Sequence, residues 1–501
     1  MIFFICLTLL FLDFTGTLHN YLSWMAKIQF LPAVLALNVG VIVLLALLTF
    51  VFGRLYCSVI CPLGVMQDIF GWLGRKAKRN RYTFSKEKKV LRYSVLVLFI
   101  AAIIGGVASF VALLAPYSSY GRIVTNLFSP VYVAINNLQA YFAERAGSYT
   151  FYHKDVWING IGTFIVSAVT FVVVAVLAYR NGRTYCNTIC PVGTILSFFA
   201  RFSLFKPVID TSKCVNCTAC GKNCKAACID MKNHKIDYSR CVVCGDCLEK
   251  CHSGAISYKM TWGKKTCAEK CALKSDDKEG LAKDNHSKSV EVDRSRRRYF
   301  ALAGTLAVAG AVKAQDKVVD GGLAIIEDKQ IPERQTEIVP PGAVSIKNLT
   351  QHCTGCQLCI SKCPNDVLRP SGDIMTLMQP RSSYERGFCR PECTVCSDVC
   401  PAGAIRKITK EEKSSIQIGH AVWDGGLCLP MVEGVHCGNC ARHCPAGAIT
   451  LVNVDPDDPE SPKFPVVDEN RCIGCGECEY VCPVRPLSAI YVEGHEVHKT
   501  I

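Results

Sequence analysis

Residues 214–224 read CVNCTACGKNC, and residues 241–251 read CVVCGDCLEKC. Each is C-x2-C-x2-C-x3-C, and the two are separated by less than twenty residues. Three thiolates in one short loop can grip three irons of a [4Fe–4S] cube. A fourth cysteine past the turn reaches the neighbouring cube. The spacing therefore assigns Cys214, Cys217, Cys220 and Cys251 to one cluster, and Cys241, Cys244, Cys247 and Cys224 to a second. Structural zinc sites instead pair short C-x2-C knuckles across a longer gap. The proline that usually follows the fourth cysteine is missing here, with Lys225 and His252 in its place. That residue shapes the turn and does not bind iron. Cys228, Cys267 and Cys271 receive no role.

Working outward, four more cysteine groups follow, two with the same spacing and two with a longer first gap, C-x3-C-x2-C-x3-C at 389–400 and C-x8-C-x2-C-x3-C at 428–444. Cys353, Cys356, Cys359 and Cys363 precede Pro364; Cys389, Cys393, Cys396 and Cys400 precede Pro401. Cys428, Cys437, Cys440 and Cys444 precede Pro445; Cys472, Cys475, Cys478 and Cys482 precede Pro483. These are sixteen ligands for four cubes, so six [4Fe–4S] clusters are expected in all. With the same swap of the fourth ligand, the expected pairing is first group with fourth and second with third, so that Cys363 would join Cys472, Cys475 and Cys478. The 32 cysteines of this 501-residue chain stand in tight groups and not as a scattered disulfide framework.

Half of the residues are hydrophobic, 20% are charged, and the mean hydropathy is +0.23. That is too apolar for an ordinary soluble enzyme of this length. Segments 30–52, 93–115 and 156–179 carry no charge apart from their flanks, and each is long enough to cross ~30 Å of hydrocarbon at ~1.5 Å per residue. Residues 1–12 form a shorter apolar run ending at Asp13. It has neither a basic leader nor a small-residue cleavage site, and reads as a first span cut short by a late start of the chain. Four spans are thus expected, with a fifth, short anchor possible further on. Ten basic residues against two acidic ones from Arg54 to Arg92, and Arg180, Arg183, Arg201 and Lys206 after the fourth span, place those segments in the cytoplasm. Residues 116–155, with three basic and two acidic residues, form the outward loop. Topology thereby accounts for most of the +14 net charge, and no nucleic acid is called for.

An internal repeat lies at the cytoplasmic ends of the second and fourth spans. GRLYCSVICPLG at 53–64 recurs as GRTYCNTICPVG at 182–193. Cysteines four apart share a helix face or one turn, so Cys57, Cys61, Cys186 and Cys190 could make a four-thiolate redox or metal site. They could equally be free thiols in a helix-end packing motif.

The organisation read from these features is a four-span helical membrane domain over 1–200 and a cytoplasmic, α+β bacterial-ferredoxin-like two-cluster module over 201–260. A charged linker over 261–298 follows, then an apolar segment over 299–314, then a four-cluster polyferredoxin domain over 315–501. Arg297 and Arg298 before Phe300 and a weakly apolar run ending in Ala314 are similar to a twin-arginine export signal, although internal. That pathway carries folded proteins, which suits a domain loaded with clusters before export.

The four-span part with its two C-x3-C-P motifs and two-cluster segment resembles the membrane ferredoxin-type H protein of periplasmic nitrate reductase systems. Its relatives serve nitrous oxide reductase and methylamine dehydrogenase. From Arg294 on, the chain is similar to the polyferredoxin-type G protein of the same systems, so it looks like a fusion of the two. The resemblance implies a multi-pass protein of the bacterial inner membrane, with lipid and quinol as its membrane partners. Electrons would pass from quinol through the clusters to a periplasmic reductase or electron carrier on another chain. A redox-sensing or maturation factor for another metalloenzyme is an alternative, as is a cytoplasmic-side polyferredoxin feeding the quinone pool. No dinucleotide, flavin or C-x-x-C-H haem fingerprint is present. Asp13 and His19 are conceivable proton acceptors for quinol, but a helix-end carboxylate and a loop histidine explain them more simply.

Overall fold

The computed structural model describes residues 1–13, 15–78, 82–158, 160–261 and 327–501. The arginine pair at 297–298, the apolar run 299–314, Cys267 and Cys271 lie outside them. Residues 1–264 and 329–501 form one compact unit. The helices and both cysteine-rich modules therefore share a single packed body.

The helical part departs from the hydropathy reading. One helix, Ile161–Asn181, is long and apolar enough to cross a bilayer among the described residues. At 21 residues it measures about 31 Å. The apolar helices Ile2–Leu12 and Val39–Phe52 are shorter, at 11 and 14 residues. The expected span 30–52 is broken into Phe30–Leu35 and Val39–Phe52. Leu37 adopts a left-handed conformation (φ 51°) and the Asn38 side chain accepts from the backbone N–H of Val41. The expected span 93–115 breaks in the same way at Gly105-Gly106, with Gly106 at φ 71°, between Lys89–Ile104 and Ala108–Leu114. Hydropathy counts apolar residues and does not register a left-handed residue, which interrupts the i→i−4 ladder. Nor are residues 116–155 mainly loop. Pro116–Ile123 is a wholly buried helix that runs through a π-helical turn, Val124–Phe128, into Ser129–Arg145.

The repeat builds the same corner twice. Gly53 and Gly182 turn the chain with positive φ (78° and 70°). Short helices Leu55–Val59 and Thr184–Thr188 follow, and Pro62 and Pro191 then open the helices Pro62–Lys78 and Pro191–Arg201. Proline suits a first helical position, where its missing N–H would have no partner. The closing glycines permit tight packing. A side-chain carbon at Gly64 would stand 2.3 Å from the carbonyl oxygen of Cys57, and one at Gly193 would stand 2.5 Å from that of Cys186.

Each cysteine-rich module is a set of short helices after cysteine tripods, closed by two-stranded antiparallel ribbons. In the first, Phe205–Ile209 pairs with Ile256–Met260. In the second, Ile416–Trp423 pairs with Ile490–Thr500, Ile449–Asn453 with Lys463–Val467, and Leu368–Pro370 with Pro380–Ser382.

The two modules sit at opposite ends of the same helices. Ala36, just before Val39–Phe52, packs on Gly403 of the second module, whereas the carbonyl of Phe52 accepts from Tyr258 of the first at 2.8 Å. Gly160, before Ile161–Asn181, meets Pro370, and Gly182 after that helix abuts the Lys225 carbonyl. The second module is latched by a buried ion pair between Lys362 and Asp13 (3.0 Å) and by Asn126 donating to Gln357 (2.7 Å). Asp13 also accepts from the backbone N–H groups of Thr15, Gly16 and Leu18. It is thus a structural carboxylate, in line with the simpler of its two readings. Removing one partner of a buried pair strands the other's charge and costs about 3–5 kcal/mol. Lys362→Met is expected to lower the denaturation midpoint accordingly, and adding Asp13→Leu should restore most of the loss. A single variant as stable as the parent would contradict the latch.

Candidate metal centres

The tripods owe their shape to left-handed residues. In four of the six groups the second cysteine is flanked on both sides by positive-φ positions: Asn216 and Thr218 around Cys217, Val243 and Gly245 around Cys244, Gly355 and Gln357 around Cys356, and Gly474 and Gly476 around Cys475. Alternating handedness turns successive backbone N–H groups to one side and makes an anion-holding concavity. The two groups without this pattern, at Cys389 and Cys428, are those whose spacing departs from C-x2-C-x2-C. The signal was present in the glycines of three groups. Asn216, Thr218, Val243 and Gln357 gave no such hint, because a side chain in that conformation is held there by tertiary structure.

The fourth cysteine of several groups receives a backbone hydrogen bond at sulfur. Val367 N–H donates to Cys363 (3.4 Å), Ile405 to Cys400 (3.5 Å) and Ala448 to Cys444 (3.3 Å). The small residues after Cys400-Pro401 and Cys444-Pro445 let the chain fold back over its own sulfur. Such bonds favour the charged form of a sulfur and raise the potential of a cluster it binds.

Cavities show which thiols belong together. One of about 270 Å³ is lined by Cys224, Cys241, Cys244 and Cys247. Cys214 and Cys251 lie within electrostatic reach of Cys220. In the second module Cys389, Cys393 and Cys396 share a cavity with Cys363. Cys428, Cys437 and Cys440 share one with Cys482, and Cys472, Cys475 and Cys478 share one with Cys444. Cys353, Cys356 and Cys359 face Cys400. The swap thus joins first group with second and third with fourth, and corrects the first-with-fourth pairing. Spacing within a group does not name the group that completes it, whereas adjacency along the chain lets each pair of groups form one compact two-centre unit.

The donor sets suit multinuclear iron–sulfur centres. Each is four soft thiols, in four of the six sets lining an apolar hollow, and among the described residues no three Cys, His, Asp or Glu side chains converge on a single ion-sized point. Burial pushes the thiols of Cys244, Cys356 and Cys440 up to about 11 and that of Cys475 up to about 12. Binding a metal must therefore displace protons that the bare protein would hold. Cys228 is a fifth thiol on the first cavity, fully buried with its sulfur 3.5 Å from that of Cys224. Sequence spacing gave it no place.

The repeat's cysteines are also together. Cys57, Cys61, Cys186 and Cys190 are each 4% exposed and lie within electrostatic reach of one another. Gln67 donates to the Cys186 sulfur at 3.1 Å and Gly193 N–H to the Cys190 sulfur at 3.4 Å.

Fold and thiol geometry define the class: a polyferredoxin-type 4Fe-4S binding protein with a helical domain. Comparison with known proteins agrees. A family described as "4Fe-4S binding domain" matches residues 33–81 and 162–209, and one described as "4Fe-4S dicluster domain" matches 435–485, which holds the last three cysteines of the third group and all four of the fourth. The methylamine utilization ferredoxin-type protein MauM of Methylobacillus flagellatus is 31% identical over 171 residues, covering 32% of this chain and 70% of that protein. The ferredoxin-type protein NapG of Escherichia coli is 30% identical over 210 residues, covering 39% and 84%. The ferredoxin-type protein NapF of Escherichia coli is 28% identical over 164 residues, covering 32% and 87%. The chain belongs to this family of ferredoxin-type 4Fe-4S proteins, and its role is electron transfer through iron–sulfur centres.

Proposed function

We propose that the chain is a membrane-bound electron-transfer protein that takes electrons from quinol and delivers them, through six [4Fe–4S] clusters, to a reductase or electron carrier on another chain across the membrane. The observation that carries this reading is the placement of the two cysteine-rich modules at opposite ends of the same helices. The outward faces of those helices are apolar: Leu44, Leu47, Val97, Leu98, Val169 and Val172 are exposed. An exposed apolar belt of this kind fits lipid. With the positive-inside assignment, the first module faces the cytoplasm and the second the periplasm of a bacterial inner membrane.

The clusters would supply one-electron chemistry. The protein's residues supply the rest. The concave backbone turns beside the second cysteine of four groups hold thiolate charge, and N–H donors such as Val367 and Ala448 set sulfur basicity. An apolar shell surrounds most of the sites, while Cys217 of the first tripod stays exposed. A reaction with quinol splits a two-electron, two-proton donor into single-electron steps, so electrons leave by the thiol-lined centres while protons go to water.

The test uses the full chain in proteoliposomes, prepared without oxygen. Adding a reduced naphthoquinol is expected to bleach the brown visible band and to raise the paramagnetic signals that dithionite raises. A tag at Ile501 should be cut by protease on the side opposite the first module. Clusters that dithionite reduces and quinol leaves oxidised would rule the donor out.

A further inference from the structure

Four buried thiols of the repeat remain outside the six ferredoxin-type centres, and beside them is a cation without an anion. Arg54 is 0% exposed. Its guanidinium donates to Asn187 Oδ1 (3.0 Å), the Ser239 carbonyl (3.1 Å) and the Cys186 carbonyl (3.3 Å), and reaches the Cys57 sulfur at 3.7 Å. Its Nε has no partner, and it forms no ion pair with an acid among the described residues. The equivalent arginine of the second copy is different. Arg183 forms a two-pronged pair with Asp68 at 2.7 and 2.6 Å, which Lys225 shares, and donates to the Cys57 carbonyl. A buried guanidinium facing only neutral groups is costly, and it is retained where a counter-charge accompanies it. Two disulfides among the four cysteines would be neutral and would leave Arg54 uncompensated. Four thiolates around an iron–sulfur core carry net negative charge.

We propose that Cys57, Cys61, Cys186 and Cys190 hold a further [4Fe–4S] centre, each copy of the repeat supplying half its ligands and Arg54 its counter-charge. Each copy matched as a 4Fe-4S binding domain contains just two cysteines in its matched residues, so neither can complete a four-thiolate site alone. The inference rests on the reading of the chain as an electron carrier and adds the centre that joins its two modules. On one side, Arg54 links the four thiols to Ser239, two residues before Cys241. On the other, Tyr56 and Tyr185 lie beside the thiols, and Tyr117 lies within electrostatic reach of Tyr56, Cys356 and Cys400. Tyr56, Tyr117, Tyr185, Cys57, Cys61, Cys190 and Cys356 belong to one continuous packed core, with Cys400 packed against it. The step is a single electron in from a reduced neighbouring cluster and a single electron out, with no bond or proton changed.

The experiment compares the anaerobically purified full chain with a Cys57→Ser/Cys186→Ser variant for iron, acid-labile sulfide and zinc, with dithionite-reduced paramagnetic spectra. The variant is expected to lose about four irons and four sulfides per chain while keeping the other signals. Unchanged iron, loss of one zinc instead, or recovery of these four residues as disulfides on alkylation would overturn the site. Should the double variant fail to fold, Arg54→Gln keeps all ligands. It should lower the midpoint of one couple, with Arg54→Lys restoring it, and midpoints that all stay put would overturn the proposal. Dithionite needs no quinol site, so a chain that holds this centre but ignores quinol would sink the functional reading and leave the site standing.

Discussion

Stripping iron from the purified chain with a chelator under reducing conditions is expected to unfold the second cysteine-rich module and to spare much of the helical part. The module's sheets are two-stranded ribbons, with strands of three to eleven residues. Ribbons of that size are marginal in water by themselves. Its first two groups share the core of the helices, whereas the half around the third and fourth groups has a small core of its own, and Cys428, Cys472, Cys478 and Cys482 are among the buried residues that build it. With the clusters gone, those cysteines would line hollows that nothing fills, and the ligand bonds that tie one loop to the next would be absent. In a site of this kind the free energy of binding metal is free energy of folding. Loss of β-type circular dichroism and rapid proteolysis across 340–500 should follow, while the α-helical signal, carried by elements such as Ile161–Asn181, persists. A chelated protein with an unchanged protease pattern would show that the apolar core suffices alone.

The second large effect concerns the swap. Cys482→Ser should damage the centre whose other ligands are Cys428, Cys437 and Cys440, and not that of its own group. Combined with Cys428→Ser it should cost no more than about four irons, because both changes strike one cube. Combined with Cys472→Ser it should cost about eight, because two cubes are hit. Iron and sulfide assays separate these outcomes. The pairing of first group with fourth makes Cys482→Ser with Cys428→Ser cost about eight, and such a result would falsify the assignment drawn from the cavities.

Much of the chemistry could be read from residue spacing. A C-x2-C-x2-C loop is short enough that its three thiols must face one object, so the expected ligands are local facts. The apolar runs were legible too, because lipid-compatible composition is a property of a stretch. The helix breaks were not. Leu37 is an ordinary helix-forming residue, yet its exposed, left-handed backbone closes the end of Phe30–Leu35, with Leu37 N–H donating to the Val34 carbonyl and Asn38 N–H to that of Ala33. Asp13, read as a helix-end carboxylate, proves to be half of a buried latch because Lys362, nearly 350 residues on, is brought to it.

By itself, then, the order of residues determined the type of cofactor, the loops that hold it and the segments that shun water, since each depends on neighbours within a dozen positions. Which cysteine completes which centre in the second module, that Arg54 faces the repeat's four thiols without an acid, and that the two modules cap opposite ends of the same helices were decided only by tertiary structure. These are relations between distant parts of the chain, and packing, not spacing, sets the distance between them.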